Sequence, residues 1–147
     1  MQNRPRIPPI DLLLVDDSPG DVQLMRSALH DTKSEAVLHV VPNGSLALRF
    51  LAKDEPYTDA PDVELVLLDL NLPGMNGIEV LRSIKGDERF KRIPVVMLTT
   101  SGSPKDVEQA YAEHVNCYIM KPLDYDRFKE VIYKLEDFWV NTALLPA

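Results

Sequence analysis

The chain has little or none of what several classes of protein require. One cysteine among 147 residues excludes an internal disulfide and favours a reducing, cytoplasmic location. No apolar run is long enough to cross a bilayer, and no hydrophobic segment follows the basic, proline-rich start, so that start is not a signal peptide. The net charge of −7, from 16 basic and 23 acidic residues, disfavours nucleic acid as a partner.

What the chain does contain is a regular alternation of strand and helix signals. Short, mostly apolar runs are typical of strands buried on both faces, and they cover residues 10–15, 36–41, 63–68, 93–99 and 117–120. Each run is followed by a capping side chain ahead of apolar residues at helical spacing. These capping residues are Ser18, Asn43, Asn76, Ser103 and Asp124. The last helix carries an apolar stripe from Phe128 to Trp139, which is expected to be mostly core.

This alternation predicts an α/β fold with a doubly wound, five-stranded parallel sheet. Right-handed crossovers leave few topologies, and the strand order 2-1-3-4-5 is the common one at this size. We expect one domain over residues 10–141, a flexible N-terminal tail over residues 1–9 and a C-terminal tail over residues 142–147.

Polar side chains follow four of the predicted strands at the point where each strand ends. Asp16 and Asp17 follow the first strand, Asp69 the third, and Lys121 the fifth, while Thr99 closes the fourth. In this topology they meet at the carboxyl edge, where open α/β sheets bind ligands. Two carboxylates about 4 Å apart repel by about 4 kcal/mol, so a hard dication, the lysine ammonium, or both must compensate. Mg²⁺ suits such a set, whereas the acidic loop of a calcium site is lacking.

Plainer interpretations of these residues stay open from the sequence alone. Asp69 can serve only to hydrogen-bond the turn after its strand, Asp16 and Asp17 can cap the first helix, and Lys121 can be a solvated turn residue. If they do act together, a carboxylate beside Mg²⁺ and a lysine can attack a phosphoryl group and form an aspartyl-phosphate. No glycine-rich P-loop is present, so a nucleotide is not the expected donor.

Four motif elements between roughly residues 10 and 140 resemble the receiver domain of two-component response regulators, a flavodoxin-like fold. They are DD at 16–17, LLDLNLPGMNG at 67–77, PVVMLTTS at 94–101 and YIMKP at 118–122. The resemblance implies that Asp69 is the phosphoacceptor. It further implies that Asp17, Asp69 and the backbone carbonyl of Asn71 bind Mg²⁺ directly, with Asp16 acting mainly through a water.

The same resemblance implies a conformational switch. Thr99 and Lys121 would contact the phosphoryl group, and Tyr118 matches the aromatic residue that turns inward as Thr99 moves toward the phosphate. The Lys121–Pro122 bond is often cis in such domains. Thr100 is larger than the Ala, Gly or Ser common at its position, so phosphoryl-exchange rates do not carry over from the family.

The strings SPGDV, VNCYIMKPLDYDRF and KLEDFW resemble the single-domain regulators of bacterial and cyanobacterial phytochrome histidine kinases. A phytochrome-type sensor histidine kinase is therefore the expected phosphoryl donor. Because the sequence ends soon after the last helix, no output domain is expected, and the output would be a binding surface, onward phosphotransfer in a phosphorelay, or a homodimer. The dimer would use the last helices, strand five and the apolar tail 143–145.

A second class of function is a true enzyme, a phosphohydrolase that turns over its own aspartyl-phosphate. The short predicted loops argue against it, since they leave little chain for a substrate pocket or a lid. The sequence therefore favours a phosphoacceptor signalling domain over an enzyme.

Overall fold

The computed structural model describes residues 9–142. Its elements are β1 (Asp11–Val15), α1 (Pro19–Asp31), β2 (Val37–Val41), α2 (Gly44–Ala52), β3 (Leu65–Leu68), α3 (Gly77–Lys85), β4 (Val95–Thr99), α4 (Pro104–Ala112), β5 (Cys117–Met120), α5 (Tyr125–Glu136) and a π-helical turn (Asp137–Thr142). The predicted tails therefore lie outside the described residues, except for Pro9 and Thr142.

The sheet confirms the predicted topology. Its strands run parallel in the order β2-β1-β3-β4-β5. Four strands begin one or two residues later than predicted, and only β5 has the predicted bounds. Val63 explains the late start of β3. Its side chain is buried, but pairing with β1 begins two residues later, where Leu65 pairs with Leu12. An apolar run thus indicates burial and not the first residue of pairing.

Successive strand residues point into two separate cores, as expected for a sheet wound on both faces. Leu13 and Val15 of β1 pack in the core that α2, α3 and α4 cover, whereas Leu12 and Leu14 pack in the core under α1 and α5. Because β1, β3 and β4 are covered on both sides, their side chains are almost fully buried. This buried centre leaves the carboxyl edge of the sheet as the place for polar groups.

Each helix begins directly after its predicted capping residue. Each side-chain oxygen accepts a hydrogen bond from the backbone N–H three residues ahead. Asn76 and Glu79 exchange reciprocal bonds in a capping box that fixes the start of α3. Within residues 9–142, no helix has the length and apolar character needed to traverse a bilayer.

The C-terminal helix departs from the prediction in its last turn. Phe128, Ile132 and Leu135 are buried as expected, but α5 ends at Glu136 and the chain continues as a π-helical turn. The wider turn shifts the following residues out of helical register, and Phe138 is 52% exposed. The prediction of a cis Lys121–Pro122 bond is also wrong. Within residues 9–142, the peptide bond with cis geometry joins Glu55 and Pro56.

Candidate functional site

The ends of β1 and β3 bring three acidic residues together. The backbone N–H of Asp69 donates to the carbonyl of Val15 at 3.0 Å, so the chain leaves both strands at the same height. Asp16, Asp17 and Asp69 each present a carboxylate oxygen, and these oxygens all lie within 4.8 Å of one another. The predicted convergence of acids at the carboxyl edge is therefore present.

The three acids differ in their surroundings. Asp16 is buried, and its Oδ1 accepts the Ser18 N–H at 2.9 Å. Asp69 is half-buried, while Asp17 is exposed to solvent. A compact, all-oxygen donor set with one side open to water fits a hard divalent cation, which keeps several waters as ligands.

The ionised form of the Asp69 carboxyl is disfavoured unless positive charge lies nearby. Burial raises the pKa of the Asp69 carboxyl; Lys121 opposes this rise and the nearby Asp16 adds to it. The backbone N–H groups of Leu70 and Asn71 donate to the carboxylate and lower its pKa again, by less. The predicted metal ligand at Asn71 is its carbonyl, and that role stays a prediction.

Lys121 reaches the acids from the end of β5, where its backbone N–H donates to the Thr99 carbonyl at 2.7 Å. Its buried ammonium donates to Oδ2 of Asp16 and to Oδ2 of Asp21, each at 3.0 Å. Burial alone would lower the pKa of Lys121, but Asp16, Asp21 and Asp69 together raise it above its ordinary value. The solvated-turn interpretation of Lys121 is thus wrong.

Asp21 is the site residue that sequence reasoning missed. Its position in the first turn of α1 indicates only an acid that complements the helix dipole, which is a common arrangement. The sequence does place Asp21 four residues after Asp17. Because α1 begins only four residues after the last residue of β1, its first turn lies at the same edge of the sheet. Nothing in the sequence shows that the Lys121 side chain turns toward α1.

Thr99 and Tyr118 meet through the connection between β4 and α4. Thr99 is fully buried, and its Oγ1 accepts the N–H of Ser101 at 3.4 Å. The Tyr118 hydroxyl donates to the Ser101 carbonyl at 2.8 Å, and the Ser101 hydroxyl donates to Asp106 at 2.6 Å. Tyr118 thus has an inward orientation with a bond to the segment that follows Thr99, but its switch role stays a prediction.

Gly77 allows the loop after Asp69 to fold tightly against α3. Its N–H donates to the Leu70 carbonyl at 2.8 Å. A Cβ at this position would lie 2.7 Å from Leu70 Cα and closer still to the Asp69 carbonyl oxygen. Both neighbours are backbone atoms, which cannot move without moving the acidic site.

We therefore expect Gly77→Ala to lower the free energy of unfolding by about 1–3 kcal/mol, the usual cost of overpacking. Displacement of Asp69 should also weaken divalent metal binding. Gly20→Ala is the matched control, because its new Cβ would have only Ser18 Oγ nearby, at 3.8 Å. Urea unfolding and Mg²⁺ titration of both variants measure the two effects; equal behaviour of the two variants would contradict the close contact.

Beside the acids lies a cavity of about 130 Å³, and Asp16 and Lys121 are among the residues that line it. Leu24 of α1 and Leu123, in the connection between β5 and α5, line the same cavity. Leu24 is 43% exposed and Leu123 is 97% exposed. An apolar rim therefore borders the acidic site.

Residues 12–133 match the family model of the response regulator receiver domain. Over 140 residues the chain is 41% identical to response regulator Rcp1 of Synechocystis sp., covering 95% of each chain. Its fold superposes on the phosphorylated cyanobacterial phytochrome response regulator RcpA with a TM-score of 0.89 and 38% identity, covering 95% of this chain and 99% of that one. It superposes on the Mn²⁺-bound form of Rcp1 with a TM-score of 0.87 and 40% identity, over 95% and 100% of the chains.

Proposed function

Because this chain belongs to the response regulator receiver domain family, we propose that it accepts a phosphoryl group on Asp69 from a sensor histidine kinase. The acylphosphate then switches a protein-interaction surface. The observation that carries this proposal is the cluster of Asp16, Asp17 and Asp69 carboxylate oxygens within 4.8 Å, next to the buried Lys121 ammonium. We expect the reaction in the cytoplasm, as for the family.

The proposed metal is Mg²⁺, which the carboxylates of Asp17 and Asp69 and the carbonyl of Asn71 would hold, with Asp16 acting through a water. The ion would supply positive charge against the phosphoryl oxygens. The half-buried Asp69 and the acids crowded around it make such charge favourable. The Mn²⁺ bound to the similar protein Rcp1 supports a divalent cation at this site.

The side chains of this chain have separate parts in the transfer. A carboxylate oxygen of Asp69 attacks the phosphorus, and the bond from phosphorus to the donor histidine nitrogen breaks as the imidazole leaves with the electron pair. Lys121 and the Thr99 hydroxyl would each donate to an oxygen of the transferred group. Tyr118, bonded to Ser101 at 2.8 Å, would then hold the segment after Thr99 in its shifted position.

Incubation with acetyl phosphate and Mg²⁺ tests the proposal, with mass spectrometry to count phosphoryl groups. We expect a single modification of near-unit stoichiometry that decays slowly, because a switch must persist long enough to bind its partner. Rapid multiple turnover of phosphate esters would contradict it and favour the phosphohydrolase alternative.

We propose that the donor is a phytochrome-type kinase, on the strength of the similarity to RcpA, and that its histidine-bearing segment docks on Leu24 and Leu123. Both leucines are exposed beside the cavity that Lys121 lines. A donor histidine that reaches Asp69 must bring its surrounding surface over this rim. Acetyl phosphate makes no such contact, so it separates docking from chemistry.

Leu123→Ser should therefore slow phosphotransfer from the kinase about tenfold, the size of one lost interface anchor. The rate of labelling by acetyl phosphate should stay unchanged. Val37→Ser removes an apolar side chain that is 44% exposed on β2, at the opposite edge of the sheet, and serves as the control. Equal slowing with both donors would place the defect in the site and not in docking.

We also propose that the output surface includes a homodimer contact through α4, β5 and α5. β5 is an edge strand, which leaves backbone groups available for pairing or covering. Large apolar or aromatic side chains are exposed on these elements and on the turn after α5. They are Tyr111, Met120, Tyr133 and Phe138.

Analytical ultracentrifugation with and without acetyl phosphate should show a dimer in at least one state, and Met120→Glu should shift the equilibrium toward monomer. The charged side chain would have to be buried unpaired in the contact, which is unfavourable. The control is Val37→Glu, which places the same charge on the far edge strand. A monomer in both states at high protein concentration would end the proposal.

A further inference from the structure

We propose that Asp21 is a positioning residue that competes with a phosphoryl group on Asp69 for the Lys121 ammonium. Asp21 would thereby control how readily the site accepts a phosphoryl group. This inference rests on the proposed function, in which Lys121 contacts the transferred group. Its basis is the ion pair between Asp21 and Lys121.

The Lys121 ammonium has two carboxylate partners from different elements. Oδ2 of Asp16, at the end of β1, and Oδ2 of Asp21, in the first turn of α1, each lie 3.0 Å from Nζ. An ammonium has three N–H donors, and these acids engage two of them. A phosphoryl group on Asp69 would therefore share the Lys121 ammonium with both acids, and each ion pair that stays closed limits how the lysine can turn toward that group.

The two partners differ in what happens when a divalent cation binds. Asp16 belongs to the acidic cluster with Asp17 and Asp69, whereas Asp21 lies outside it. A cation in the cluster would draw on the charge of Asp16 and would leave Asp21 free to keep the ammonium. Asp21 is therefore the partner that still competes with the phosphoryl group once the metal is in place.

The placement of Asp21 suits a contact that can be released. Its backbone is held at the start of α1, where its N–H donates to the Ser18 hydroxyl at 3.2 Å. Its side chain is 39% exposed, against 2% for Asp16. Water can hydrate the Asp21 carboxylate when the lysine leaves, so the ion pair is weak enough to exchange.

The alternative role for Asp21 is only to stabilise the start of α1 through the helix dipole. In that case the loss of its charge would lower the melting temperature without changing the affinity of the site for a phosphoryl group. Asp21→Asn removes the charge and keeps the shape of the side chain. Asp126→Asn, in the first turn of α5 at the same edge of the sheet, removes an exposed charge that Lys121 does not contact.

The experiment is calorimetric titration of the full chain with beryllium trifluoride, a phosphoryl mimic, in saturating Mg²⁺. We expect Asp21→Asn to bind the mimic about three- to fivefold more tightly than wild type, the upper part of the range for loss of one half-exposed ion pair. Asp21→Glu, which restores the charge, should lie close to wild type, and Asp126→Asn should change the affinity by less than about twofold. The phosphoryl group introduced by acetyl phosphate should also decay more slowly in Asp21→Asn.

A double variant isolates the ion pair as the cause of a tighter complex. In a Lys121→Gln background, Asp21→Asn should give no further gain, because the competing ion pair is already absent; an equal gain there would overturn the inference in favour of a general charge effect. Unchanged or weaker binding in Asp21→Asn alone would overturn it as well. Failure of the wild type itself to bind the mimic with Mg²⁺ would instead contradict the proposed function.

Discussion

Asp69→Asn should abolish phosphorylation by acetyl phosphate and by a kinase, because the amide oxygen is too weak a nucleophile to form the acylphosphate. The substitution keeps the size of the side chain and the position of the half-buried group. Phosphoryl incorporation, measured by mass spectrometry or radiolabel, should fall to the detection limit. Asp59→Asn, which removes an exposed acid from the loop before β3, should label like wild type.

The same variant should be more stable than wild type when no divalent metal is present. Burial raises the pKa of Asp69, so the folded protein binds a proton at this position more tightly than the unfolded chain does. Above the folded pKa, the ionised carboxylate therefore costs stability, and the cost disappears as the pH falls through that pKa. The melting temperature of Asp69→Asn should exceed that of wild type near neutral pH, and the difference should shrink toward acid pH.

The melting temperature and the phosphoryl labelling of Asp69→Asn together distinguish loss of the acceptor from damage to the fold. Lost labelling with a raised or unchanged melting temperature means that the acceptor has been removed from an intact fold. Lost labelling with a strongly lowered melting temperature would mean that the fold was damaged, in which case Asp69→Glu provides a second test of geometry. Retained labelling would place the acceptor on another residue, such as the exposed Asp17 of the same cluster.

The fold could be predicted from the sequence because its signals are local and mutually consistent. Each buried strand is a short apolar run, and each helix begins at a capping residue such as Asn43 or Ser103. The topology of the chain then predicts the site, because parallel strands place their carboxyl ends on one edge of the sheet. That rule alone brings Asp16, Asp69 and Lys121 together from three separate parts of the chain.

The parts that could not be predicted depend on side-chain directions and on partners far apart in sequence. Asp21 and Lys121 are 100 positions apart, and either side chain has other reasonable partners at the sheet edge. The spacing of apolar residues in α5 does not indicate that the chain continues as a π-helical turn after Glu136. The Tyr118 hydroxyl bonds to a backbone carbonyl, that of Ser101, and a carbonyl carries no sequence signal.

Asp17 offers the sharpest test of the metal site, because its carboxylate faces solvent and makes no hydrogen bond or ion pair within residues 9–142. Asp16, by contrast, is held by Ser18 and Lys121, so its replacement would also leave a buried ammonium short of a partner. Replacing Asp17 therefore removes a proposed ligand while changing little else in the fold.

We expect Asp17→Ala to weaken Mg²⁺ binding by at least about tenfold, or about 1.4 kcal/mol, because a hard cation loses one of only two direct carboxylate ligands. Calorimetric titration gives the affinity directly, and the Mg²⁺-dependent rise in melting temperature should fall in parallel. Asp126→Asn, a charge loss at the same edge outside the cluster, corrects for long-range electrostatics. An unchanged titration for Asp17→Ala would show that the ion sits elsewhere, and the acids gathered at the ends of β1 and β3 would then need Lys121 alone as their compensation.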